Sequence, residues 1–421
     1  MSPRSSNPWR WIPTLYFSQG IPYVLVMTVS VVMYKNLKIS NTDIALYTSW
    51  LYLPWVIKPL WSPLIDLFRT KRSWIIGLQF TIGASLAMVA LTVPGPWFFR
   101  GTLTVFWLLA FSSATHDIAA DGFYLLALPS HQQAAFVGVR STFYRLAMIA
   151  GQGGVVYLAG TLQGITHDAA RAWSWVFVLT TLFFVLVASY HWICLPRPSR
   201  DHQADRSPTL VQGYFSVFKD FFRKKDIALS LCFLLLYRFA EAQLLKLVAP
   251  FLLDERNAGG LGLTTQQVGI IYGTIGVIAL TLGGLVGGYV ISRFGLKRML
   301  WPMILAMYAP NVVFILLAWA QPNNLFIIGG SLAVEQFGYG FGFTAYLLYM
   351  MLVAEGEHRT AHYAICTGFM ALGMMLPGLA AGWIQEKLGY VNFFVWVCVA
   401  TIPSFAATAL IKVDPAFGKN A

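Results

Sequence analysis

Residues 101–128 read GTLTVFWLLAFSSATHDIAADGFYLLAL, an apolar run long enough to cross a bilayer that nevertheless contains His116, Asp117 and Asp121. Crossing the hydrocarbon takes about 20 apolar residues. The next apolar stretch, 134–162, carries Arg140 and Arg145. An ionisable side chain at membrane depth costs about 2.5–3.5 kcal/mol, so it normally turns inward, finds a partner and marks a substrate or proton path. Two acids and two arginines on neighbouring spans therefore predict a membrane protein that moves a solute, not a passive anchor.

Working outward, the chain of 421 residues is 57% hydrophobic and 11% charged, against about 25% charged in soluble domains. Breaks at charged or Pro/Gly-rich positions leave twelve spans, near 11–34, 43–65, 73–93, 101–128, 134–162, 172–195, 227–252, 266–291, 298–320, 324–353, 360–385 and 390–411. The expected class is an all-α membrane protein with twelve transmembrane helices. The net charge of +12 suggests nucleic acid until it is placed on this topology. Most lysines and arginines then fall on the segments that a cytoplasmic N-terminus puts inside, the positive-inside pattern. Nucleic-acid binding is excluded on that ground. Cys194, Cys232, Cys366 and Cys398 lie in or beside apolar spans without metal-like spacing and read as small buried residues. Arg4 and Arg10 precede the first apolar run without a small-residue cleavage site, so it is expected to remain as the first span.

The longest polar stretch separates two halves: residues 1–195 form an N-terminal six-helix bundle, 196–226 a cytoplasmic linker, and 227–421 a C-terminal bundle. Within the linker, 210–222 repeats apolar residues at helical spacing and predicts an amphipathic helix on the membrane face. The halves echo each other. After span two comes Ser62-Pro-Leu-Ile-Asp66-Leu-Phe-Arg69-Thr-Lys71-Arg72, and after span eight Gly288-Tyr-Val-Ile-Ser292-Arg293-Phe-Gly295-Leu-Lys297-Arg298. Both resemble the loop motif of the major facilitator superfamily, each copy incomplete, and mark Asp66, Lys71, Arg72, Arg293, Lys297 and Arg298 as gating-loop candidates. The resemblance implies two pseudo-symmetric six-helix halves with substrate bound near the midplane between them. Glycines 151, 153, 154 and 160 in span five and 283, 284, 287 and 288 in span eight read as close helix packing, since no strand or Gly-Lys-Ser/Thr accompanies them.

Asp117 and Asp121, four apart, share one helix face. At 1.5 Å per residue, Asp117 and Arg145 each lie about 16 Å from the inner ends of their spans, Asp121 about 10 Å and Arg140 about 9 Å. The matched depths make Asp117–Arg145 and Asp121–Arg140 candidate ion pairs, either fixing helix register or working in transport. The second half carries Arg238, Glu241 and Lys246 in span seven and Glu335 in span ten; Lys246 is expected to snorkel outward. A carboxyl that alternates between protonated and ion-paired forms is what proton coupling needs. Asp117, Asp121, Glu241 and Glu335 are the coupling candidates, with His116 as a neighbour that tunes Asp117.

The motifs resemble one family. Ala110–Gly122, with its Asp117-Ile-x-x-Asp121 core, looks like the span-four signature of AmpG-type muropeptide permeases. Tyr144-Arg145-Leu146-Ala-Met, Lys58-Pro-Leu-Trp61-Ser62-Pro63-Leu-Ile-Asp66, Phe17-Ser-Gln19-Gly20-Ile-Pro22 and Gly378-Leu-Ala-Ala-Gly382-Trp383 are similar to other family motifs. His116 departs from the usual Gln. The resemblance implies an inner-membrane importer, both termini cytoplasmic, that brings in anhydro-muramyl peptides with protons for peptidoglycan recycling. It needs no cofactor and is expected to work as a monomer in the bilayer. Gln19, His116, Tyr144 and Arg238 are the substrate-contact candidates. Relatives that import siderophores keep another large polar solute open as cargo. A membrane-embedded muropeptide sensor is the non-transport alternative, though no large soluble domain is present to relay a signal. An intramembrane hydrolase is rejected, because arginines matched to both aspartates argue against the shared proton of an aspartyl dyad.

Overall fold

Proline or glycine marks some of the helix ends, among them 93–97, 295 and 389. The computed structural model describes residues 7–198, 201, 216–356, 358–415 and 417–418, and among these there is no strand. The first helix, α1 (Pro8–Asn36), opens on Asn7, whose side chain accepts from Trp9 N at 3.1 Å. Pro22 inside it supplies no amide hydrogen, and a π-turn, Leu25–Val29, follows directly. α2 (41–68) consists of Asn41–Trp50 and Leu53–Phe68. α3 (Lys71–Thr92), α4 (Phe98–Ala127) and α6 (Ala169–Cys194) are continuous. Between the last two lies α5 (130–166), which contains a second π-segment at Ala150–Val155.

The later helices are α7 (Ile227–Leu253), α8 (Thr265–Phe294), α9 (Leu296–Ala320) and α10 (Leu325–Ala354). The long helical run Arg359–Leu410 breaks at Gly389, whose φ of 73° and ψ of 167° suit glycine alone. It therefore supplies α11 (359–388) and α12 (390–410), and the twelve expected spans all correspond to helix. Of the linker's expected amphipathic helix, residues 216–222 are helical; 210–215 lie outside the described residues.

By contacts the chain divides into residues 1–33 with 60–211, and residues 34–59 with 212–421. This differs from the expected split, which kept all of α1 and α2 in the first bundle. In the first unit, α1 packs on α5 where Gly151 leaves room for Val24; a Cβ there would come within 2.1 Å of Val24 Cγ1. Gly154 faces open space instead.

In the second unit, α8 meets α10 at Gly283, where a Cβ would lie 2.1 Å from Phe337 O. The hairpin 34–59 belongs here for the same kind of reason. A Cβ at Gly382 of α11 would lie 2.0 Å from Asn41 O, and one at Gly378 would lie 2.7 Å from Ser49 Oγ. Polar contacts reinforce that packing. Lys35 Nζ is 2.6 Å from Asp254 Oδ1, Tyr390 donates to Asp254 Oδ2 at 2.6 Å, and Asn41 Nδ2 donates to Gln385 Oε1 at 2.7 Å.

Candidate transport site

Polar side chains gather in two places, one in each unit. In the first, the i, i+4 spacing sets Asp117 and Asp121 on one face of α4. Arg140 Nη2 of α5 lies 2.9 Å from Asp121 Oδ1, and the Tyr16 hydroxyl of α1 donates to the same oxygen at 3.3 Å. The guanidinium also stands over two rings, 4.6 Å from Tyr16 and 5.6 Å from Tyr124. The pair is partly open, with side-chain exposures of 32% for Arg140 and 40% for Asp121. The accessible carboxylate and guanidinium can bind a solute that offers hydroxyl and carboxyl groups, while the Tyr16 and Tyr124 rings, buried behind them, hold the guanidinium in place. Of the two expected pairs, Asp121–Arg140 is formed. Asp117, one turn away, lies within electrostatic reach of Arg140 and of the span-five Tyr144. Arg145 is half-buried on α5, and Gln19 is buried with its Oε1 unpartnered.

His116 is not where a solute contact belongs. Its ring is 1% exposed and its Nε2 lies 3.1 Å from Gln79 Nε2. Gln79 also joins His191 Nδ1 at 2.9 Å through its Oε1 and donates to Ser18 Oγ at 3.2 Å; His191 Nε2 meets Thr14 Oγ1 at 2.9 Å. This clasp ties α1, α3, α4 and α6 together. Sequence reasoning missed Gln79 and His191, although both are polar residues on otherwise apolar spans, the signal that singled out His116.

The second cluster forms where α7 is interrupted. Helix runs to Leu236 and resumes at Phe239, leaving Arg238 at φ −108° and ψ 18°. That break puts Glu241 in the first turn of the resumed helix. The Arg238 guanidinium donates from Nη2 to the Tyr339 hydroxyl and stands 4.7 Å from the Phe343 ring centre. Glu335 Oε2 accepts from Gln336 Nε2 at 3.0 Å. Arg238, Glu241 and Glu335 are 7%, 0% and 1% exposed. Lys246 does not snorkel: it is 4% exposed, donates to Thr48 Oγ1 at 2.9 Å and sits 5.2 Å from the Tyr52 ring centre. Thr48 and Tyr52 on the hairpin give its ammonium a nearer partner than the bilayer edge.

In the first gating loop, the Lys71 and Arg72 amides donate to Asp201 at 2.7 and 3.0 Å, and Arg72 Nε donates to Leu195 O at 3.3 Å at the end of α6. The Asp66 side chain lies outside the described residues. In the second loop, Arg293 stands over the Tyr289 ring and Arg298 over Phe294. Lys297 is exposed.

The sequence pattern of the Major Facilitator Superfamily matches residues 14–351, and the chain belongs to that family. It is similar to the anhydromuropeptide permease of Escherichia coli (strain K12), 25% identical over 398 residues that cover 92% of this chain and 76% of that protein. It is also similar to the putative transporter AmpG 4 of Rickettsia conorii, 25% identical over 402 residues covering 91% and 92% of the two chains. Among solved structures, a bacterial homolog of the human lysosomal transporter Spinster, inward-facing and unoccupied, superposes with a TM-score of 0.74 at 16% identity, covering 96% of this chain and 98% of that one. The D-xylose-proton symporter gives 0.70 at 13% identity, covering 98% and 99%. The fold is thus that of an all-α facilitator. The chain is a multi-pass membrane transporter of small-molecule solutes and not an enzyme.

Proposed function

We propose that this chain is a proton-coupled importer of anhydro-muramyl peptides, acting as a monomer in the inner membrane with both termini cytoplasmic. The observation that carries the cargo reading is the similarity to the E. coli anhydromuropeptide permease along 92% of the chain. The first cluster suits such a cargo chemically. A muropeptide offers carboxylates to Arg140 and hydroxyl and amide donors to Asp121, the two partly exposed groups of the cluster. The positive charge excess on one side of the topology favours cytoplasmic termini.

The test is uptake of N-acetylglucosaminyl-anhydro-muramyl tripeptide into proteoliposomes with an imposed pH gradient. The expected result is accumulation that a protonophore abolishes. No uptake under any gradient refutes the cargo, and accumulation that ignores the proton gradient refutes the coupling.

A further inference from the structure

Among the described residues, several buried polar atoms without a hydrogen-bond partner fall in one place: Arg238 Nε, both carboxyl oxygens of Glu241, and Glu335 Oε1. Buried polar atoms are otherwise almost always paired, so a cluster of orphans indicates a group that comes and goes. The charges do not balance either. Arg238 is the cation of this cluster: it lies within electrostatic reach of Glu241, and Glu241 within reach of Glu335. The neighbours from other helices are neutral: Tyr272 of α8 lies within electrostatic reach of both glutamates, Tyr308 of α9 within reach of Glu241, and Gln336 and Tyr339 come from α10. Lys246, further along α7, is engaged by Thr48. Two ionised carboxylates beside one guanidinium would leave a net negative charge at sites 0–1% exposed, which costs several kcal/mol per uncompensated ion. One bound proton makes the group neutral.

We propose that Glu241, Glu335 and Arg238 form a closed site that holds a single proton between the two carboxyls, and that this site carries the coupling while the Asp121–Arg140 cluster meets the cargo. The assignment rests on the proton-coupled reading above and gives it a location. It has a consequence peculiar to the two-acids, one-cation count. Removing Glu335 leaves Glu241 matched to Arg238, so the proton is no longer needed. Removing Arg238 leaves two acids with no cation, so a second proton is bound.

The experiment is infrared spectroscopy of the purified full-length protein in lipid at neutral pH without cargo, following the carbonyl band of neutral carboxylic acid. Wild type is expected to show the band. Glu335→Gln should remove it, Arg238→Gln should about double it, and Asp121→Asn should leave it unchanged. A band that survives in Glu335→Gln overturns the shared-proton site, as does one that Arg238→Gln leaves at wild-type strength. The two arms move the signal in opposite directions, so loss of one variant to misfolding leaves the other decisive. In proteoliposomes, Glu335→Gln should keep counterflow and lose gradient-driven accumulation; accumulation driven by sodium instead overturns the proton assignment. If the bands behave as stated but wild type takes up no muropeptide, only the cargo reading fails. If wild type accumulates muropeptide and the bands do not move, only this site fails.

Discussion

Asp254, at the end of α7, ties the hairpin 34–59 to Tyr390 at the start of α12 through its two oxygens, which makes it the best point at which to loosen that packing. Lys35 Nζ lies 2.6 Å from Oδ1 with side-chain exposures of 14% and 19%, the Tyr390 hydroxyl donates to Oδ2 at 2.6 Å, and Asn41 Nδ2 reaches Oδ2 at 3.4 Å. Hydrogen bonds to a charged group contribute about 1.5–3 kcal/mol each. Taking the lower figure for Lys35 and Tyr390 and nothing for the long Asn41 contact, Asp254→Ala removes about 3 kcal/mol of docking energy. At 1.4 kcal/mol per tenfold, that raises the open population of the hairpin roughly 150-fold.

Ser49 is 0% exposed against Gly378 and offers a reporter. In a background in which Cys194, Cys232, Cys366 and Cys398 are replaced by serine or alanine, Ser49→Cys should react slowly with a maleimide. The Asp254→Ala version should react about 100-fold faster, and Asp254→Asn by an intermediate factor. Equal labelling rates in all three would show that the backbone packing at Gly382, with the Thr42 amide and hydroxyl donating to Glu386 at 3.0 and 2.6 Å, holds the hairpin by itself, and the charge argument would fail.

Gln79→Leu should strand both His116 and His191 and destabilise the first unit by about 2–4 kcal/mol, read as a lowered thermal midpoint in detergent, whereas His116→Gln preserves an acceptor and should stay within about 1 kcal/mol of wild type. Gly151→Leu should overpack α1 against α5 and cost about 1–3 kcal/mol, while Gly154→Ala, facing open space, should leave the midpoint unchanged. Arg140→Gln and Asp121→Asn should each lower muropeptide uptake at least about 10-fold, by leaving a charge without its partner, at undiminished protein level in the membrane; wild-type uptake in both would remove the first cluster from the cargo path.

The spans were readable because hydrocarbon length is a blunt constraint: the twelve apolar intervals became helix, though the second and seventh are each interrupted inside. The Asp121–Arg140 pair was readable for a related reason, since rise per residue converts sequence position into depth. Rotation about a helix axis is what depth does not give. His116 and Asp117 are adjacent in sequence and point about 100° apart on a helix, so His116 entered the clasp while Asp117 stayed on the Asp121 face. Lys246 was misplaced because its partners, Thr48 and Tyr52, lie some 200 residues away on a hairpin assigned by sequence to the other half. The break at Tyr237–Arg238 was also hidden, because the run from Ile227 to Leu236 contains no charge, proline or glycine to mark its end.

The hairpin's partners also set a schedule for biogenesis. Asn41 meets Asp254, Gln385 and Tyr390 across sequence separations of 213, 344 and 349 residues. At roughly 5–20 residues per second of synthesis, Tyr390 leaves the ribosome about 20–70 s after Asn41. Throughout that interval Lys35, Asn41 and Ser49 have no α11 to cover them, and their polar groups must be satisfied by water, lipid head groups or an assisting membrane chaperone. Docking of this hairpin is therefore among the last steps of maturation, and quality-control proteases that sample it would discriminate finished molecules from chains that stalled before their final two spans.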